Sequence, residues 1–156
     1  MNELNLQSMI IGVVNEKGHG HAHKLSSRFL VGVVDLLVKL PKWPAGLLEV
    51  KQRDFPASDA RFALDVTLPQ QRFLRQFDAA GMPCGVASFL QAGTGAGLKL
   101  WLNVSTWETM SYGDTTVAPF SMTRTAYTFL GKHDERADKI LSLLDDWHTN
   151  WKEQHA

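Results

Sequence analysis

The chain has 156 residues, of which 44% are hydrophobic and 21% charged, which predicts one folded domain with a proper core and excludes a disordered chain. Sixteen Lys and Arg balance sixteen Asp and Glu, so net charge alone makes no case for a nucleic-acid or membrane partner. The single Cys84 excludes an intramolecular disulfide and every multi-cysteine zinc or iron–sulfur pattern. The best apolar run, Phe29 to Val38, contains Asp35 and is too short for a membrane span, and the first apolar stretch carries Glu3 rather than a basic leader. The expectation is a cytoplasmic protein with no membrane partner.

Charge is uneven along the chain. Residues 17–75 hold ten basic and five acidic side chains, a local charge of +5, whereas residues 133–156 sum to −3. Such asymmetry is able to create one positive face for a polyanion on a neutral protein, although differences of this size also arise by chance.

In chain order, Leu4, Leu6, Met9, Ile10, Val13 and Val14 recur at helical spacing, and Gly18 and Gly20 end the helix they define. His19, His21, His23 and Lys24 read as a polar connector. Phe29 to Leu40 reads as a buried strand, Pro41 to Gly46 as a turn and Leu47 to Lys51 as a second strand, so the two make a hairpin. A polar loop around Phe55–Asp59 follows. Thr67-Leu-Pro-Gln70 is a helix start, with Thr67 as cap, Pro69 in the first turn and Gln70 completing a capping box. Phe73, Leu74, Phe77 and Ala80 form the apolar stripe of that helix and Gly81 ends it. Strands are expected at Pro83–Leu90 and Leu98–Val104, with Gly93, Gly95 and Gly97 in the turn between them. Residues 105–131 carry no clear pattern. Lys132–Lys152 returns as an amphipathic helix. The order predicts an α/β fold: a mixed sheet flanked by helices, forming one domain with a core over about 3–104 and a C-terminal helical extension over about 132–152.

Asp35 and Glu49 are acids inside otherwise apolar strands, where a lone buried carboxylate is costly without a partner or a metal. Lys51 stands two residues beyond Glu49, on the same face of its strand. A hairpin is able to bring Asp35 near Glu49. Two converging carboxylates, with the carbonyl of Val50 as a further oxygen, suit Mg²⁺ or Mn²⁺, and a neighbouring lysine suits a water or a phosphate. The plain structural alternative is a strand-end acid beside a same-face Glu49–Lys51 ion pair.

Gly32-Val-Val-Asp35, thirteen residues, Glu49-Val-Lys51, then Thr67-Leu-Pro-Gln70 opening a helix that closes at Ala79-Ala-Gly81, resembles the PD-(D/E)xK nuclease superfamily. Within it the pattern is similar to VRR-NUC and Holliday-junction-resolvase-like nucleases, often encoded by phages, over about residues 3–90. The resemblance implies a restriction-endonuclease-like fold and a metal-dependent DNA endonuclease in a cell's or phage host's cytoplasm. It implies that Asp35 and Glu49 bind metal, that Lys51 is catalytic, that Gln70 supports the site and that Glu3 on the first helix contributes. It also implies a DNA partner, including branched DNA such as a four-way junction, and paired subunits forming a homodimer. Val34 replaces the proline usual before the Asp. The long stretch from Arg53 to Val66 leaves Gln71 open as an alternative to Gln70.

His23, Lys24, Ser26, Ser27, Arg28 and Arg53 are the candidate DNA contacts, because Lys, Arg and Ser commonly bind phosphate. Glu3 has a second reading as an exposed acid at a helix N-terminus. Three alternating histidines, His19, His21 and His23, present imidazoles for a transition metal if extended, but a glycine-interrupted loop is the simpler reading. Trp147 and Trp151 read as core or dimer interface, and Cys84 as a small buried hydrophobe. The alternative to an enzyme is a non-catalytic nucleic-acid-binding or assembly module on the same fold.

Overall fold

The computed structural model describes residues 3–26, 32–54, 62–63, 66–92, 95–101, 121–122, 128–130 and 133–155. The elements run α1 (Glu3–Glu16), β1 (His21–Lys24), β2 (Leu36–Lys39), β3 (Gly46–Asp54), β4 (Phe62–Ala63), α2 (Leu68–Ala79), β5 (Cys84–Ala92), β6 (Gly95–Trp101), β7 (Ser121–Met122), β8 (Thr128–Phe129) and α3 (His133–Gln154). Six strands form one sheet in the order β1-β2-β3-β5-β6-β8, and β4 pairs with β7 separately. Only the β3–β5 pair within the described sheet is parallel, and α2 lies in the connection between those two strands. The expected hairpin forms: β2 and β3 run antiparallel with Leu36 opposite Leu48 and Val38 opposite Gly46.

Strand alternation divides the side chains between two faces. Leu36, Val38, Leu48, Val50, Ala87 and Phe89 join Leu6, Ile10 and Val14 of α1 and Ile140, Leu144 and Trp147 of α3 in one hydrophobic core. The residues between them, Leu47, Glu49 and Lys51 on β3 and Val86 and Ser88 on β5, face the other way, toward α2. On that side α2 buries Gln71, Leu74 and Asp78. Thr67 caps α2 in a full capping box with Gln70, and Gly81 follows the helix at φ +95°, the left-handed conformation that terminates helices.

Several expectations are corrected. The strand expected over Phe29–Leu40 is ordered as β2 only from Leu36, and Asp35 sits in the bend just before it; residues 29–31 lie outside the described residues. The histidine connector is instead β1, an edge strand whose only buried side chain is Ala22. Gly95 and Gly97 lie within β6, whereas Gly93 and residues 102–104 lie outside the described residues, as does the Phe55–Asp59 loop. The buried face of α2 runs through Gln71, Leu74 and Asp78, so Phe77 and Ala80 are exposed rather than part of an inward stripe. Within residues 105–131, β7 and β8 are formed. Trp147 is wholly buried and donates to the Cys84 carbonyl at 3.4 Å, which makes it a core residue, while Trp151 is half-buried. Burial, and after it the charge of Asp78, pushes the Cys84 thiol up to about 12, so it behaves as an inert small hydrophobe.

Candidate active site

β2 reaches only to Leu36, but β3 continues to Asp54, so among the described residues one edge of β3 has no partner strand beyond Leu48. Two carboxylates occupy that edge. The Val50 N–H donates to Asp35 Oδ2 at 2.8 Å, and the Gln52 N–H donates to Glu3 Oε1 at 3.2 Å. The N–H and C=O of a residue in an extended strand point the same way. The Val50 carbonyl therefore opens on this edge, between the Asp35 carboxylate that caps its own N–H and the Glu3 carboxylate that caps the Gln52 N–H.

Glu49 projects to the α2 face and is 2% exposed. Its Oε1 accepts from Gln70 Nε2 at 2.8 Å and lies 3.4 Å from Lys51 Nζ. Its Oε2 is buried with no hydrogen-bond partner. Burial first, and then the Asp35 charge, pushes the Glu49 carboxyl up to about 8, while Lys51 pulls in the opposite direction. The half-buried lysine beside it does not offset that cost. The pair is short of positive charge.

Gln70 is held from both ends of its amide. Its Oε1 accepts the Thr67 N–H at 3.0 Å as half of the capping box, which leaves Nε2 to donate to Glu49. Gln71 turns away instead: it is 1% exposed, and its Nε2 donates to the Val66 carbonyl at 3.1 Å. Of the two glutamines, Gln70 is the one that reaches the carboxylates.

The Asp35 bend is locked against the start of α2 by Gly32. This glycine has φ +87°, and a Cβ placed on it would meet the Pro69 carbonyl carbon at 2.5 Å and its oxygen at 2.6 Å. No side chain fits there. The Gly32–Pro69 contact joins the segment carrying Asp35 to the residue before Gln70. Nothing in the sequence flagged it beyond the position of a glycine three residues ahead of the acid.

The donor set suits a hard divalent cation. Asp35, the orphaned Glu49 Oε2 and the Val50 carbonyl are all oxygen ligands, and Mg²⁺ or Mn²⁺ retains water in its remaining positions. These residues fit. They supply two carboxylates rather than three: among the described residues no group of three or more His, Cys, Asp or Glu is arranged to hold a metal. That also removes the three-histidine reading. His21 and His23 share an exposed face of β1, their rings parallel within 6° and 6.3 Å apart, but His19 departs into a left-handed turn at φ 51°.

The Leu25 N–H donates to the Asp35 carbonyl at 2.8 Å, bringing the end of β1 alongside the bend. His23, Lys24 and Ser26 are exposed on this approach. Ser27 and Arg28 lie outside the described residues, and so does the side chain of Arg53. No helix of the described residues is long and apolar enough to cross a membrane.

No family model matches the chain, and no curated protein matches its sequence. A solved structure does match in shape. A Holliday junction resolvase, Hjc, from the hyperthermophilic archaeon Archaeoglobus fulgidus superposes with a TM-score of 0.50, over 79% of this chain and 90% of that one, at 14% identity. The fold is restriction-endonuclease-like. The α/β architecture expected for this chain is thereby met, including a C-terminal helix packed on the sheet.

Proposed function

We propose that this protein is a divalent-metal-dependent endodeoxyribonuclease acting on branched DNA. The observation that carries the reading is the convergence of Asp35, Glu49, Lys51 and Gln70 where β2 ends, with one Glu49 oxygen buried and unpaired. Asp35, Glu49 and the Val50 carbonyl would hold Mg²⁺ or Mn²⁺, and Glu3 flanks them. When bound, the cation supplies Lewis-acid stabilisation of phosphoryl oxygens and lowers the pKa of a bound water.

The protein's own groups do the rest. Gln70 fixes the Glu49 carboxylate so that Oε2 stays turned to the site. Lys51, with a side chain 14% exposed, presents its ammonium beside Glu49, where it orients the attacking water and neutralises charge growing on the phosphate. The water oxygen bonds to phosphorus as one of its protons passes to solvent, the phosphorus–oxygen bond to the leaving nucleotide breaks, and the leaving oxygen takes up a proton from solvent. His23, Lys24, Ser26, Ser27, Arg28 and Arg53 are proposed to grip the phosphates on either side.

The archaeal protein of this fold is a Holliday junction resolvase, which makes a four-way junction the substrate to test first. Symmetric cutting of a junction calls for a homodimer, and sedimentation at micromolar concentration would show a mass near twice 17.4 kDa. The deciding experiment compares cleavage of a labelled four-way junction, a matched duplex and a single strand, in Mg²⁺, Mn²⁺ or EDTA, by the wild type and Lys51→Ala. Metal-dependent cutting that favours the junction and is lost in the variant is expected. No cutting by folded wild type would leave a non-catalytic binding module.

A further inference from the structure

β1 presents two imidazoles outside the Asp35–Glu49–Lys51 cluster. Ala22 turns into the core, so strand alternation sets His21 and His23 together on the opposite face of the sheet, the face that also carries Glu49 and Lys51. Both histidines are exposed, with rings parallel within 6° and centroids 6.3 Å apart. Among the described residues neither imidazole has a hydrogen-bond or ion-pair partner.

The strand beneath them is fixed. β1 pairs with β2 from His21 to Lys24, the Ala22 N–H donates to Asn15 Oδ1 at 2.8 Å, and the Gly20 N–H donates to the Val14 carbonyl at 3.0 Å. Gly20 lies so close to β2 that a Cβ on it would meet the Lys39 carbonyl oxygen at 2.2 Å. The pair therefore stands on a paired strand rather than a loose connector, as a metal site requires. On β2 the residues opposite are Lys39 and Leu37, neither of them an acid. The Lys39 ammonium is turned away, donating to the carbonyls of Leu40 at 2.6 Å and of Trp43.

Imidazole suits Zn²⁺, Ni²⁺ and Cu²⁺, whereas Mg²⁺ takes oxygen ligands. Two neutral imidazoles leave both charges of such an ion uncompensated, and leave coordination positions open. An anion is the ligand that completes it. His23 is aligned through Leu37 with Leu47, two residues before Glu49. With strands about 4.8 Å apart and residues about 3.4 Å apart along them, His23 and Glu49 are separated by about 12 Å of backbone. That is too far to share one ion and close enough to touch one DNA strand.

We propose that His21 and His23 hold a transition-metal ion, Zn²⁺, Ni²⁺ or Cu²⁺, and that this ion clamps a phosphate of DNA beside the cut. The clamp rests on the nuclease reading of the Asp35–Glu49–Lys51 site; the metal site does not.

The test uses the untagged full chain. Ni²⁺ and Zn²⁺ are titrated by calorimetry in excess Mg²⁺, which occupies the carboxylates and leaves imidazoles free. A single ion per chain is expected. Its affinity should fall about tenfold or more in His21→Ala and in His23→Ala and stay within about twofold in His19→Ala. Thermal unfolding checks that each variant is folded. The electron paramagnetic resonance spectrum of bound Cu²⁺ should show two imidazole nitrogens in the wild type and one in either variant. The clamp is read from affinity for a four-way junction without Mg²⁺, in EDTA or with Zn²⁺, over a series of salt concentrations. One added phosphate contact steepens the slope of log affinity against log salt by about 0.9. Zn²⁺ is expected to tighten binding and steepen the slope by that amount in the wild type, and to do neither in His21→Ala.

No bound ion, or affinity unchanged in either histidine variant, overturns the site. An ion held by the pair that leaves junction affinity and slope unchanged is an adventitious ion only, and overturns the clamp. A gain abolished by inorganic phosphate at the concentration of the DNA phosphates assigns the ion to free phosphate and overturns the clamp too. Wild type that binds no junction in either condition overturns the nuclease reading, while the titration still decides the histidine site.

Discussion

Gly32→Ala is the sharpest perturbation available, because it tests the junction between two parts of the site without touching either. Gly32 adopts φ +87°, and an L-residue in the left-handed region costs about 1–2 kcal/mol. The new methyl would stand 2.5 Å from the Pro69 carbonyl carbon, so an ordinary contact of about 3.5 Å requires backbone to move by about 1 Å. Overpacking of this kind costs a further ~1–3 kcal/mol. Together the loss is on the order of 2–5 kcal/mol, read as a lower urea midpoint at unchanged m-value. Pro69 immediately precedes Gln70, whose bond to Glu49 is 2.8 Å long, and a shift of that size breaks it. Misplacement by about 1 Å costs on the order of a hundredfold in rate, so kcat should fall in conditions where the variant is fully folded. The mechanism requires non-additivity: in a Gln70→Ala background, Gly32→Ala should lower kcat little further. Wild-type stability together with wild-type kcat would refute the reasoning, and additive kcat losses would refute the route through Gln70.

Three further outcomes are expected. In EDTA the Glu49 carboxyl, pushed up to about 8 from an ordinary 4.5, binds its proton more tightly folded than unfolded, so metal-free stability falls as pH rises from about 4.5 to 8. Glu49→Gln flattens that slope in urea titrations, and Mg²⁺ raises the unfolding temperature of the wild type at pH 8 but not that of the variant. His148 is fully buried, donates from Nδ1 to the Leu144 carbonyl at 2.8 Å and is held below its ordinary pKa by burial, against the pull of that carbonyl. The unfolded chain therefore takes up the proton first, and stability is lost as pH falls below about 6.5; His148→Gln removes this dependence in the same titration. Trp147→Ala empties the largest fully buried side chain among the described residues and should cost about 3–5 kcal/mol by urea unfolding, with less than 1 kcal/mol refuting its place in the core.

How far the sequence carried depended on the range of the interactions. The hairpin was legible because two apolar runs flank a Pro-Lys-Trp-Pro-Ala-Gly turn, and with it the approach of Asp35 to Glu49. The capping box at Thr67–Gln70 was legible because all its bonds lie within one helical turn. β1 was not: an edge strand with one buried residue, Ala22, has no apolar alternation to detect. The buried face of α2 was not legible because it carries Gln71 and Asp78, polar residues whose partners lie outside the helix: the Val66 carbonyl just ahead of it and His155 at the far end of the chain. The choice between Gln70 and Gln71 is likewise tertiary, since it turns on which amide meets Glu49. β7 and β8 are two-residue strands that exist only through their pairing with β4 and β6.

The premature end of β2 has a consequence outside catalysis. An unpaired strand edge is a template for recruiting other chains, and proteins guard such edges with charge. Here Asp35 and Glu3 are the guards, each occupying an N–H of β3 that a foreign strand would otherwise take. Truncating Asp35 to alanine therefore removes a ligand and also unlocks a sticky edge, and a loss of activity in that variant would confound chemistry with self-association. Asp35→Asn retains an oxygen to accept the Val50 N–H while discarding the charge. The two substitutions separate what the carboxylate does for a reaction from what it does to keep each molecule apart from its neighbours.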